Sequence, residues 1–154
     1  MFHFSAKGEY AVLAILALSL HSSEEPLQVK SIARKEGISV RFLEQVMSLL
    51  KKRGLVESVR GPHGGYRLIK SPAQIRLGEV LQAVEGPFTA IGLSDKRRDN
   101  FFGFNERKIE TVVLQEVTDA VNASLRDHLN AISFEDLCER KREREEKREL
   151  MFHI

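Results

Sequence analysis

GLVESVRGPHGGYRL, residues 54–68, sets two short strand-like runs on either side of a turn holding three glycines and a proline. Residues 55–59 and 66–69 are rich in β-branched, aromatic and aliphatic side chains, so they read as strands with Gly61-Pro62-His63-Gly64-Gly65 as the connection. Three chemistries want a loop with so few side chains: a phosphate cradle, close approach to a nucleic-acid groove, or a tight hairpin alone. A cradle is disfavoured, because the order is not strand–glycines–helix and no Lys-Ser/Thr pair directly follows the glycines. Glycine has no Cβ, so this loop can take positive φ and lie close against another surface. Arg60 stands at its root and His63 at its tip.

The residues before the hairpin narrow the choice. Ser39 is placed to cap a helix in which Leu43, Val46, Met47 and Leu50 form an i, i+3, i+4, i+7 stripe. Arg41, Glu44, Gln45 and Ser48 point elsewhere, basic residues fill the last turn, and Gly54 stops it. A short amphipathic segment with Val29, Ile32 and Ala33 precedes it and ends at Gly37. Two short helices joined by a tight turn form a helix-turn-helix, and a hairpin directly after one is a wing. Phe42 falls at the edge of the buried face. Further upstream, Ser5 caps a helix whose residues 10–18 are apolar on nearly every side, as in an element buried between others.

Downstream, residues 75–84 read as another short helix ended near Gly86-Pro87, and residues 88–105 lose periodicity, as in a long loop. From about 107 to 131 a long helix carries Ile109, Val112, Val113, Val117, Ala120, Val121, Leu125, Leu129 and Ile132 on one apolar face, which wants a partner of its own kind, the alternative being packing against the first domain or a share of both. Ser133-Phe134-Glu135-Asp136 looks like a capping box for a last helix. There, six basic residues nearly cancel five glutamates over 139–149, as on a solvated helix.

Composition excludes several classes. With 154 residues, 42% hydrophobic and 30% charged, the chain can bury a core. Residues 1–85 hold 12 Lys/Arg against 8 Asp/Glu, a balance of +4, while residues 86–154 hold 12 against 14, or −2. A basic first half hints at a polyanionic partner. One cysteine, Cys138, allows neither an internal disulfide nor a thiolate cluster. The longest apolar run, nine residues, is too short to span a bilayer, and the start lacks signal-peptide features, so the expected location is cytoplasmic. The five histidines show no ligand spacing on one helix face, and no catalytic constellation is present.

The combined string Leu43-Glu44-Gln45, Gly54-Leu55-Val56, Ser58-Val59-Arg60-Gly61-Pro62 and Gly64-Gly65-Tyr66, with Ser5-Ala6-Lys7-Gly8-Glu9-Tyr10-Ala11 before it, resembles the winged-helix regulators of the IscR/NsrR/CymR type, the Rrf-two family. The resemblance is close over residues 1–86. It implies a homodimer whose long helices cross at the two-fold axis, recognition helices in successive major grooves and wings near the minor grooves of double-stranded DNA. By match of motif, Ser39, Arg41, Phe42, Glu44, Gln45, Arg60, Gly61, Pro62, His63, Gly64, Gly65 and Tyr66 would face DNA; beyond residue 86 the resemblance rests on a loop followed by a long helix, whose Val113, Val117, Ala120, Val121 and Leu125 would join the protomers. Base chemistry agrees: arginine pairs with guanine, glutamine with adenine, glutamate accepts from cytosine N4, and an aromatic packs on a thymine methyl. A two-fold implies a palindromic operator with half-sites separated by multiples of roughly 34 Å.

The departure from the family is as informative. Many members hold an iron–sulfur cluster on three cysteines in the loop that here spans about 92–108, where this chain has Leu93, Asp99, Asn105, Lys108 and no cysteine. Glu9 stands where some members recruit an acidic ligand, but glutamate alone holds no such cluster. The expectation is therefore a mainly α chain with a small β-hairpin wing and no cofactor or metal. Its parts are a DNA-binding domain over 1–86, a cluster-free sensor-type loop over 87–106, a dimerisation helix over 107–132 and a charged helix over 133–154. The function expected is a dimeric transcriptional regulator, a repressor by default, and not an enzyme. An effector or partner protein would act at the 92–108 loop, where Phe101, Phe102 and Phe104 are expected to pack the loop onto the dimer body or, alternatively, to line a pocket. The rival is a winged helix that binds another protein, with DNA binding weak or non-specific.

Overall fold

Six α-helices, one 3-10 turn and a two-stranded antiparallel hairpin make up the described residues of the computed structural model, which are 3–87, 89–92 and 109–153. Helix α1 (Ala6–Leu20) starts where the Ser5 hydroxyl accepts from the Gly8 N–H at 3.1 Å. Its buried residues Ala11, Ala14, Ile15 and Leu18 touch helices on several sides, which explains an apolar pattern with little sidedness. Helix α2 (Val29–Glu36) ends at Gly37, whose φ of 66° is the left-handed value glycine takes without strain. Helix α3 (Val40–Lys52) is capped by Ser39 and buries Leu43, Val46, Met47 and Leu50, the four residues of the expected stripe.

Strands β1 (Val56–Val59) and β2 (Gly65–Leu68) pair antiparallel, with Val56 opposite Leu68 and Glu57 opposite Arg67. A third piece of backbone joins them: Leu27 exchanges two 2.9 Å hydrogen bonds with Tyr66. That bridge follows from no sequence signal around Leu27, since a single paired residue has no periodicity. After the wing, a 3-10 turn (Pro72–Gln74) precedes helix α4 (Leu77–Glu85), which begins two residues later than its apolar pattern suggests. The end of α4 reaches back to α1, where the Glu85 carboxylate accepts from the Ser5 N–H at 3.2 Å and from its hydroxyl at 2.7 Å.

Helices α5 (Ile109–Ala131) and α6 (Phe134–Phe152) follow. Ser133 and Asp136 form the expected capping box, and these hydrogen bonds hold the Asp136 carboxyl below the usual carboxylate range. Phe134 is fully buried, and its N–H donates to the Ile75 carbonyl at 3.0 Å. The first turns of α6 are thus part of the core, while nearly every residue from 139 onward is exposed.

The long apolar face of α5 divides. Rotation of roughly 100° per residue gathers Val113, Val117, Ala120 and Val121 and turns Thr118, Asn122, Leu125 and Leu129 to the opposite side. The second group packs inward: Thr118, Asn122 and Leu129 are buried, and Leu125 lies against the core. The first group is exposed, Val117 by 54% and Val113 by 51%. The apolar residues of α5 therefore fall on two faces, one packed inward as the alternative reading expected and one left exposed.

Candidate nucleic-acid interface

Helix α3 presents one polar side to solvent. Arg41, Glu44, Gln45 and Ser48 are exposed, and none of the first three joins an ion pair or side-chain hydrogen bond among the described residues. Ser39 is occupied as the cap, its hydroxyl accepting from the Phe42 N–H at 3.4 Å. The Phe42 ring is half-buried and stands edge-on to Tyr10 of α1, with centroids 5.4 Å apart and planes at 85°. It sits at the rim between core and outward face, as its helical phase suggests.

The wing is tied to this helix. The Lys51 ammonium donates to the Ser58 hydroxyl at 2.6 Å, joining the last turn of α3 to β1. Of the two wing arginines, Arg67 pairs with Glu57 directly across the hairpin, whereas Arg60 has no such partner among the described residues. Arg60, Gly61, Pro62 and His63 are exposed. Tyr66 is turned back, half-buried against the core and held through its backbone by Leu27.

Each loop glycine has a local reason. Gly61 takes φ of 120°. A Cβ on Gly64 would come 2.3 Å from the Val59 carbonyl oxygen, and one on Gly65 would come 2.5 Å from that of Leu27. The hairpin and its bridge therefore require these glycines without any ligand. Gly65→Ala is expected to open the Leu27–Tyr66 bridge and to cost about 1–3 kcal/mol. Chemical denaturation reads this directly, and an unchanged midpoint would mean the bridge is not set by that contact.

Sequence reasoning missed Asn122. Its buried amide donates to the Ile91 carbonyl at 2.8 Å and accepts from the Ala90 and Ile91 N–H groups at 3.0 and 3.1 Å, fastening residues 90–91 to α5. One asparagine on an otherwise mixed helix gives no signal of this. Phe101, Phe102, Phe104 and nearly all of the 92–108 loop lie outside the described residues. The single cysteine, Cys138, is buried near the start of α6, and burial pushes its thiol pKa up. No described helix is long and apolar enough to cross a membrane.

The family model described as "Rrf2: Iron-dependent Transcriptional regulator" matches residues 4–140. The chain belongs to the Rrf2 family. Among its relatives, the HTH-type transcriptional regulator IscR of Pectobacterium carotovorum subsp. carotovorum (strain PC1) is 38% identical over 137 residues, spanning 89% of this chain and 79% of that protein. The structure of CymR (YrzC), the global cysteine regulator of B. subtilis, matches with a TM-score of 0.69 at 30% identity over 90% of this chain and 98% of that one. T. potens IscR matches with a TM-score of 0.70 at 32% identity over 91% of this chain and 88% of that one. The fold is thus the winged helix of Rrf2 regulators, and the chain is a DNA-binding transcriptional regulator rather than an enzyme.

Proposed function

We propose that this Rrf2 chain acts as a homodimer on a palindromic operator, with α3 in the major groove and the wing beside it at the minor groove. The observation that carries this reading is the outward side of α3. Arg41, Glu44 and Gln45 are exposed there, and neither they nor Arg60 of the adjacent wing join an ion pair among the described residues. Side chains that read base edges need both properties. Gln45 and Arg41 suit adenine and guanine, Glu44 suits cytosine, and Phe42 offers its ring edge to a thymine methyl. Ser39 and the exposed loop from Arg60 to His63 would meet the backbone and groove, with Gly64, Gly65 and Tyr66 shaping the wing.

The second protomer is assigned to the exposed face of α5. Ile109, Val113, Val117 and Val121, with Ala120 among them, form an apolar face that the protomer's own core leaves uncovered. Leu125 would stand at its margin, since it also packs inward. On this reading residues 1–86 bind DNA, 107–132 dimerise, and 133–154 brace the domain through Phe134.

We infer further that this member works without an iron–sulfur cluster. Such clusters are held by thiolates. The chain has one cysteine, which is buried on α6, and residues 92–108 contain none. A signal would then come from a small molecule or a partner protein, and repression is the expected sign of control.

Selection of bound sites from a random duplex pool, with the purified full chain at physiological salt, tests the central claim. Enrichment of one palindrome is the expected result. Binding of all sequences alike would overturn it in favour of a protein-interaction module.

A further inference from the structure

Between α4 and α5 lies a cleft of about 310 Å³, near the small end of ligand cavities, which run roughly from 300 to 1,000 Å³. Its floor is apolar, made by Leu81 and Leu129, which are 2% and 8% exposed. Gln82, Thr89 and Asn130 supply neutral polar groups at the mouth, and Arg126 is the one charged residue of the lining. The ion pairs among the described residues are Arg67–Glu57, Lys70–Glu79 and Lys141–Glu145, and Arg126 belongs to none of them. A neighbouring cavity of about 360 Å³ shares Thr89 and Arg126, but it also holds Asp119, whose carboxylate accepts from the Gln115 amide at 2.8 Å. An anion is favoured in the first cavity and opposed in the second.

We propose that the α4–α5 cleft binds a small monocarboxylate with an apolar body, the carboxylate on Arg126 and the body on Leu81 and Leu129. A planar guanidinium matches a carboxylate with two parallel hydrogen bonds, and the single charges cancel. A phosphate dianion would bring a second charge with no cation in the lining to meet it.

The position gives binding a consequence. Helix α4 carries Glu85, whose carboxylate accepts from Ser5, the cap of α1, and α5 carries the exposed apolar face. The two helices touch closely at the same cleft, where a Cβ on Gly78 would lie 2.1 Å from the Asn130 side-chain oxygen. An occupant wedged there changes the angle between the DNA-binding body and the proposed dimer helix. That consequence rests on the operator-binding reading, whereas the binding site itself does not.

The test titrates the full chain calorimetrically with acetate, butyrate and hexanoate, and with hexanamide as the uncharged control. Operator binding is measured on the same samples. Butyrate or hexanoate should bind at submillimolar concentration, acetate more weakly for want of an apolar body, and hexanamide not at all. Arg126→Gln should weaken hexanoate by about tenfold or more, the worth of a charge-assisted hydrogen bond. Arg126 is exposed, so the unliganded variant should melt with the wild type. No heat from any carboxylate, or equal binding by hexanamide or by Arg126→Gln, would overturn the site. Carboxylate binding without sequence-specific DNA binding would sustain the site and count against the regulator reading alone.

Discussion

Val117→Asp is expected to leave each protomer folded and to abolish the dimer. Val117 is 54% exposed in the protomer, so a carboxylate there costs the isolated chain little. In the proposed interface it would be buried twice, once from each copy, and an unpaired buried charge costs several kcal/mol. Operator affinity should then fall by roughly 10²–10⁴-fold, because linking two half-site contacts is worth about that much over one. Sedimentation velocity reads the first effect and a binding titration the second. A variant that still sediments as a dimer would remove α5 from the interface.

Arg60→Ala should reduce binding to a selected operator to the level of random duplex while leaving the dimer intact. Each wing would lose a contact worth about 1–3 kcal/mol, so the dimer loses roughly 2–6 kcal/mol. Among the described residues Arg60 is exposed and contributes to no ion pair, so its loss should not weaken the fold. Arg67→Ala is the matched control: its charge is already engaged by Glu57. If the operator and random duplex are discriminated as well as before, the wing does not read DNA through Arg60. Titrations at several salt concentrations separate this from general loss of phosphate contacts, which weakens all sequences together.

Much of the fold was legible because its signals are local. A serine before an apolar period and a glycine after it mark helix ends through one or two hydrogen bonds, as at Ser39, Gly37 and Ser133. The stripe Leu43, Val46, Met47 and Leu50 is buried as its spacing requires. Features made by pairs distant in the chain were not legible. The Leu27–Tyr66 bridge, the Glu85 contact with Ser5 and the Asn122 clasp on residues 90–91 each depend on a partner that no window of sequence contains.

The candidate interface divides in the same way. Exposure of Arg41, Glu44 and Gln45 follows from the phase of one helix, and sequence alone sets it. Which of the two wing arginines is free does not, because the choice rests on strand register placing Glu57 opposite Arg67.

By itself, then, the sequence determined the order of helices, the hairpin, the family and the lack of cysteines in the 92–108 segment. Only the tertiary structure decided how the apolar residues of α5 are shared. Hydrophobic period reports that a face wants cover, but not what covers it. Packing against α4 claims Leu129 and leaves Val113, Val117 and Val121 exposed. The physical reason is that burial belongs to pairs of surfaces, and a sequence pattern describes one surface at a time.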